Sequence, residues 1–207
     1  MSENIKKYPN ISESIKSVYV KNNLEFKKNM EIKAMQSKMI ANLINVYINV
    51  DNIVEFGDIV YLDENNITPS IAKEFANNNR TATIVTPRTK KEGKLGNLSI
   101  INTTFDNPFG NYQEVITPSS SGLIKDAKCF VVTEELPNLD KHFRAWAGIG
   151  VPCVYAIAGT LNKDIKQTDE KVREKMLRMK TQFIDVDSNF SYDYETNTMA
   201  KIYILKR

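Results

Sequence analysis

Five cations, Arg80, Arg88, Lys90, Lys91 and Lys94, stand within one short stretch that holds a single acid, Glu92. A basic loop beside strands can edge a phosphate-bearing ligand, because cations fix phosphate oxygens without reading sequence. The same composition also suits a solvated loop kept soluble by its lysines. Hydroxyls and amides follow at Asn102, Thr103 and Thr104, then at Ser119, Ser120 and Ser121. Such groups bind phosphate oxygens and base edges, although turn chemistry explains the three serines better. Glu134 and Glu135 are adjacent acids, which point different ways and make no ready acid/base pair. His142 is the sole histidine, beside Phe143 and Trp146. A lone histidine in that setting reads as structural rather than as a catalytic base. Trp146 could stack an unpaired base, but core packing is its stronger reading.

Other chemistries lack their signatures. The chain has no GxxxxGK[ST], GxSxG, HExxH or GxGxxG motif. Cys129, Cys153 and His142 fall short of the about four ligands of a structural zinc site. Two cysteines make a poor disulfide framework, so a reduced, intracellular compartment is expected. The net charge of +3 does not by itself mark a nucleic-acid binder. No stretch approaches the roughly 20 apolar residues of a membrane span, and the first ten residues lack a signal-peptide core. The expectation is a soluble, cytoplasmic protein with no membrane partner.

The elements that must position these residues read as follows. Ser12 suits a helix cap, and the chain then runs to about Ile48 without Pro or Gly. This predicts one long helix, or two with a break near Asn22–Asn23. Its apolar stripe is Ile32, Met35, Met39, Leu43 and Val46, widened by Ile40, Ile44 and Tyr47. The stripe must pack across its own domain or against a partner. Residues 53–63 predict a strand, Pro69–Ala76 a helical turn closed by Asn77–Asn79, and Thr81–Thr86 and Leu98–Thr104 two more strands. Tyr112–Thr117 and Ala127–Thr133 predict strands, Glu134–Trp146 a short helix, and residues 151–158 a further strand. Thr168 suits the cap of a helix with Val172, Met176, Met179 and Phe183 on one face. A hairpin closes the chain, with Phe190, Tyr192 and Tyr194 alternating outward and Ala200, Ile202 and Ile204 returning. Short strands with frequent turns indicate a small barrel or sandwich.

One ordered run of matches covers about half the chain. Gly57-Asp58-Ile59-Val60 opens it, and Arg80 heads a β-branched strand, TATIV. LSIINTT ends in Thr103 and Thr104, about two dozen residues beyond the arginine. Gly122-Leu123-Ile124-Lys125-Asp126-Ala127 follows, and VVTEELPNLDKHFRAWAGIG closes it. This order resembles the MazF/PemK family of toxin endoribonucleases. The resemblance implies a mainly β, α+β protein built on an SH3-like small barrel at residues 53–160. Residues 1–52 would be a helical extension, and 161–207 a helix and hairpin packed on the core. It implies metal-independent cleavage of single-stranded RNA with no cofactor, in which the 2′-hydroxyl attacks the adjacent phosphorus and leaves 2′,3′-cyclic phosphate and 5′-hydroxyl ends. Arg80 would stabilise charge on phosphorus, since a guanidinium stays protonated and forks onto phosphate oxygens. Thr103, or Thr104 on the opposite strand face, would orient the phosphate or hydroxyl. Arg88, Lys90, Lys91, Lys94, Asn102, Thr104 and Glu134 would hold the RNA. A cognate antitoxin and a second copy in a homodimer are the implied partners. The chain departs from the family at Thr81, where a proline is usual, at Pro137, and in the longer loop ITPSIAKEFANNN. Those departures favour a second reading, a non-catalytic SH3-like module that binds RNA or protein.

Overall fold

Four segments, IVEF at 53–56, ATIV at 82–85, CFVV at 129–132 and CVYAI at 153–157, are apolar on nearly consecutive positions. A strand of that kind has to be covered on both faces, which is the habit of parallel sheets. The computed structural model, which describes residues 9–56, 61–63, 66–67, 69–86, 93–102, 127–133, 150–179 and 185–206, puts all four side by side in one sheet.

Among the described residues the helices are α1 (Pro9–Tyr47), α2 (Ile71–Asn77) and α3 (Lys163–Met179). The strands are β1 (Asn52–Phe56), β2 (Tyr61–Asp63), β3 (Asn66–Ile67), β4 (Thr81–Thr86), β5 (Gly93–Leu95) and β6 (Leu98–Asn102). They continue with β7 (Cys129–Val132), β8 (Cys153–Thr160), β9 (Asp185–Asp193) and β10 (Thr198–Lys206). Among the described residues the main sheet has eight strands in the order β5-β6-β4-β1-β7-β8-β10-β9, and β2 pairs β3 separately. Strands β6, β4, β1, β7 and β8 are mutually parallel. The flanking pairs, β5 on β6 and β10 with β8 and β9, are antiparallel.

This arrangement overturns the expected SH3-like barrel. A barrel of short meandering strands needs antiparallel neighbours, yet β1 and β4 run parallel, joined through α2. Parallel neighbours require a crossover of a dozen or more residues, usually with a helix in it. The helical turn expected at Pro69–Ala76 is that crossover helix. The closing hairpin forms as expected, but it extends the same sheet through β10 against β8. Segments from 53–160 and 161–207 therefore share one sheet. The strand expected over 53–63 ends at Phe56, and Tyr61–Asp63 belongs to the small β2/β3 pair.

Each sheet face carries its own core. Ile53, Ala82, Ile84, Cys129, Val131, Val154, Ala156, Ala200 and Ile202 pack under Ile40, Ala41, Leu43 and Ile44 of α1 and Ile71, Ala72 and Phe75 of α2. Val54, Phe56, Val85, Phe130, Val132, Cys153, Tyr155, Tyr203 and Leu205 pack under Val172 and Met176 of α3. Helix α1 runs unbroken through Asn22–Asn23. Its buried positions Ser37, Ile40, Ala41 and Ile44 follow helical spacing, whereas Val46 is 71% exposed and Tyr47 47%. The stripe is thus rotated from the expected one, away from Val46 and Tyr47. Asn49 ends α1 with a positive φ of 52°, a conformation asparagine tolerates better than most residues. On the opposite face, Tyr203 Oη donates to a carboxylate oxygen of Asp169, which also holds Lys201 Nζ at 2.9 Å, and this ties α3 to β10.

Candidate ligand crevice at the carboxyl edge of the sheet

Helix α2 is short, and its two ends are fixed by side chains that sequence makes visible. Ser70 is extended at the N-cap, and its Oγ accepts the Lys73 N–H at 3.1 Å. Glu55, on β1, sends its Oε2 to the Ala72 N–H at 2.7 Å. Two of the first-turn donors that a helix leaves without internal partners are thus satisfied. At the other end Asn79 takes a positive φ of 59°. The Asn79 N–H reaches the Ala76 carbonyl at 3.2 Å, and the Arg80 N–H reaches Phe75 at 3.2 Å. That pairing is a Schellman ending.

Glu55 is 2% exposed in an otherwise apolar strand, and it lines a cavity. The cavity is about 160 Å³, with β1, the start of α2, β7 and β8 below and α1 above. Helix α1 contributes Lys33, Gln36, Ser37 and Ile40, and the lead into α2 contributes Pro69, Ser70 and Ile71. Thr133 follows the last residue of β7, and Ala156 and Ala158 of β8 complete the wall. The two alanines leave room that larger side chains would fill. Polar groups gather toward α1 and Glu55, and Ile40, Ile71 and the alanines form the apolar side.

The position follows from topology. From β1 the chain goes to β4 on one side, and from β7 it goes to β8 on the other. Between β1 and β7 the connections diverge, which opens a gap at the carboxyl ends of the two strands. In doubly wound sheets, ligands bind in the crevice at such a switch point. Glu55 and Thr133 stand on its two sides.

Of the residues singled out by sequence, the described ones, Arg80, Asn102 and Lys94, lie elsewhere. Arg80 precedes β4 at the amino edge of the sheet. Its Nη1 donates to the Val50 carbonyl at 2.5 Å, and its guanidinium stands 5.6 Å from the centre of the Phe75 ring. Asn102 pairs with Thr86 at the carboxyl end of β4 and β6. Six residues of strand separate Arg80 from that end, roughly 20 Å at the usual rise. Lys94 is exposed on β5, beyond β6 and β4 from β1. Thr103, Thr104, Arg88, Lys90, Lys91, Glu134, His142, Trp146 and the strand expected at Tyr112–Thr117 fall outside the described residues.

Sequence reasoning passed over Lys33, Gln36, Ser37, Glu55, Ser70 and Thr133. Two signals pointed at them: a lone acid inside IVEF, and a serine on the buried face of α1 among Met and Ile. Among the described residues no three His, Cys, Asp or Glu side chains gather as a metal site. No helix among them is long and apolar enough to cross a membrane. Cys129 and Cys153 are buried on opposite faces of the sheet, and burial raises both thiol pKa values well above the ordinary range.

No family model matches the chain, and no curated protein matches it. Among solved structures it is similar to one described as "Structure of an antibiotic related Methyltransferase", at 10% identity and a TM-score of 0.36. That likeness covers 79% of this chain and 92% of the other. A TM-score of that size fixes neither fold nor chemistry, and both rest on this chain's own topology.

Proposed function

We propose that this protein binds a nucleoside-type small molecule in the crevice between the carboxyl ends of β1 and β7. The observation that carries this reading is the cavity itself. It lies at the switch point of a five-stranded parallel core ordered β6-β4-β1-β7-β8, the arrangement in which doubly wound sheets bind nucleotides and related cofactors. The lining suits such a ligand, with acceptors and hydroxyls at Glu55, Ser37 and Thr133 and an apolar wall from Ile40, Ile71, Ala156 and Ala158. A volume of about 160 Å³ holds one ring or a compact polar group, so the rest of a nucleoside would lie outside this chamber.

The strand-to-helix turn narrows the class. Gly57 follows β1, and the next glycine in the chain is Gly93. A pyrophosphate cradle needs several glycines so that backbone can approach it closely. This favours a mononucleoside compound, a class that includes adenosine, its monophosphate and S-adenosyl compounds, over a dinucleotide. The ribonuclease expectation gains no support from Arg80, which is engaged with the Val50 carbonyl and the Phe75 ring.

Thermal unfolding with a panel of adenosine, AMP, S-adenosylmethionine and NAD tests the reading. A ligand present at a hundred times its dissociation constant adds about 2.7 kcal/mol, a shift of several degrees for a chain this long. Ala158→Leu, which projects into the cavity from its half-buried rim, should abolish the shift and leave the unliganded transition in place. No shift with any mononucleoside, or a shift indifferent to Ala158→Leu, would refute the assignment.

A further inference from the structure

Among the described residues that line the cavity, Lys33 is the sole basic side chain and Glu55 the sole acidic one. They differ in how they are held. The Glu55 carboxylate receives the Ala72 N–H, a charge-assisted bond at a helix start. Lys33 is half-buried and makes no ion pair among the described residues. Gln36 and Ser37 follow it at the third and fourth positions, so all three share one face of α1. That face offers an ammonium, an amide and a hydroxyl, each able to donate.

The geometry points to Lys33, with Gln36 and Ser37, as the subsite for an acidic group, phosphate or carboxylate, on the molecule that occupies the crevice. This inference rests on the crevice being the ligand site, and it names which part of the ligand meets α1. Glu55 repels an acid from the floor of the cavity and directs it to the α1 wall. The neutral part of the ligand is left for Ile40, Ile71 and the two alanines. Helix α1 thereby becomes part of the recognition surface as well as a cover for the sheet. Lys33 would be the residue that separates acidic ligands from their neutral analogues. A lysine that only snorkels to solvent would make no such distinction.

The test is isothermal titration of the full chain with adenosine, AMP, S-adenosylhomocysteine, inorganic phosphate and citrate. Wild type is compared with Lys33→Met, Lys33→Arg and, as a control, Lys38→Met, an exposed lysine on the same helix. Wild type should bind AMP or S-adenosylhomocysteine at least about tenfold more tightly than adenosine, because a charge-assisted contact is made only by the acid. AMP in the lead identifies a phosphate, and S-adenosylhomocysteine a carboxylate. Lys33→Met should erase that preference, Lys33→Arg should restore most of it, and Lys38→Met should change nothing. A preference that survives Lys33→Met, or adenosine binding as tightly as both acids, overturns the subsite while the nucleoside reading stands. Lys33-dependent binding of phosphate or citrate, with no adenosine compound bound, keeps the subsite and refutes the nucleoside. Silence from all five probes overturns both.

Discussion

Arg80→Ala should cost stability and leave ligand recognition alone. The guanidinium makes two contacts in the structure. Nη1 donates to the Val50 carbonyl, in the link between α1 and β1, and the group lies over the Phe75 ring of α2. A hydrogen bond from a charged donor is worth about 1.5–3 kcal/mol, and a partly exposed cation–π contact adds about 0.5–1 kcal/mol. Arg80 is half-buried, so the lower ends apply, and alanine should remove about 2 kcal/mol. For a chain of this length that is a fall of about 4–8 °C in Tm. Urea unfolding followed by circular dichroism should show a lower midpoint at an unchanged slope. Arg80→Lys should recover part of the loss, since an ammonium can still sit over Phe75 but cannot reproduce the planar fork. The variant's affinity for whatever fills the crevice should match wild type, because Arg80 stands at the opposite edge. Wild-type stability together with loss of ligand binding or of RNA cleavage would refute this reasoning and return Arg80 to a catalytic role.

Three further outcomes follow from single observations. Asn79→Gly should be neutral or slightly stabilising and Asn79→Val destabilising by about 1–2 kcal/mol in urea unfolding, because a β-branched residue resists a positive φ. Glu55→Leu should cost more than Ser70→Ala, which should cost about 1 kcal/mol, since Leu leaves the buried Ala72 N–H without its acceptor; equal losses in urea melts would show that the carboxylate does not hold the helix start. Burial raises the pKa of Cys129 and Cys153, and burial followed by the Asp169 bond raises that of Tyr203, so the folded state keeps protons that the unfolded chain releases. Stability should therefore be full below about pH 8, fall as pH rises through about 8.5–9 where the unfolded thiols ionise, and fall more steeply past about 10 with the unfolded phenol, with both thiols inert to a disulfide reagent until the chain unfolds.

Local structure was legible where one residue type settles the backbone. Thr81–Thr86 was read to the residue, the run of asparagines after Ala76 marked the end of α2, and the closing hairpin showed in its alternation. Architecture was misread because strand count was weighed above strand composition. Alternating apolar and polar residues signal a sheet wet on one face, and only the terminal hairpin fits that pattern. CFVV is apolar throughout and ATIV at all but Thr83, which is itself buried, and this demands helices on both faces and therefore crossovers. A helical turn between IVEF and ATIV was already visible. Read as a crossover, it makes β1 and β4 parallel neighbours and excludes a meander.

The site was hidden for a different reason. Arg80 and Thr103 drew attention because their spacing along the chain resembled a known pattern. Spacing along a chain carries position only when the fold between the two residues is the same. Here the fold differs, since the strand that Arg80 precedes, β4, lies between parallel neighbours in an open sheet and not in a barrel. The cavity residues show the converse. Lys33, Glu55, Ser70, Thr133 and Ala156 come from five places in the sequence and share no motif. What brings them together is sheet order, which no local pattern reports. Glu55 is the exception in kind, since an acid within an apolar strand needs a buried donor wherever the strand lies. A crossover helix following that strand supplies such donors at its first turn. Had Glu55 been followed to that helix, the carboxyl end of β1 would have been the place to look, ahead of any arginine.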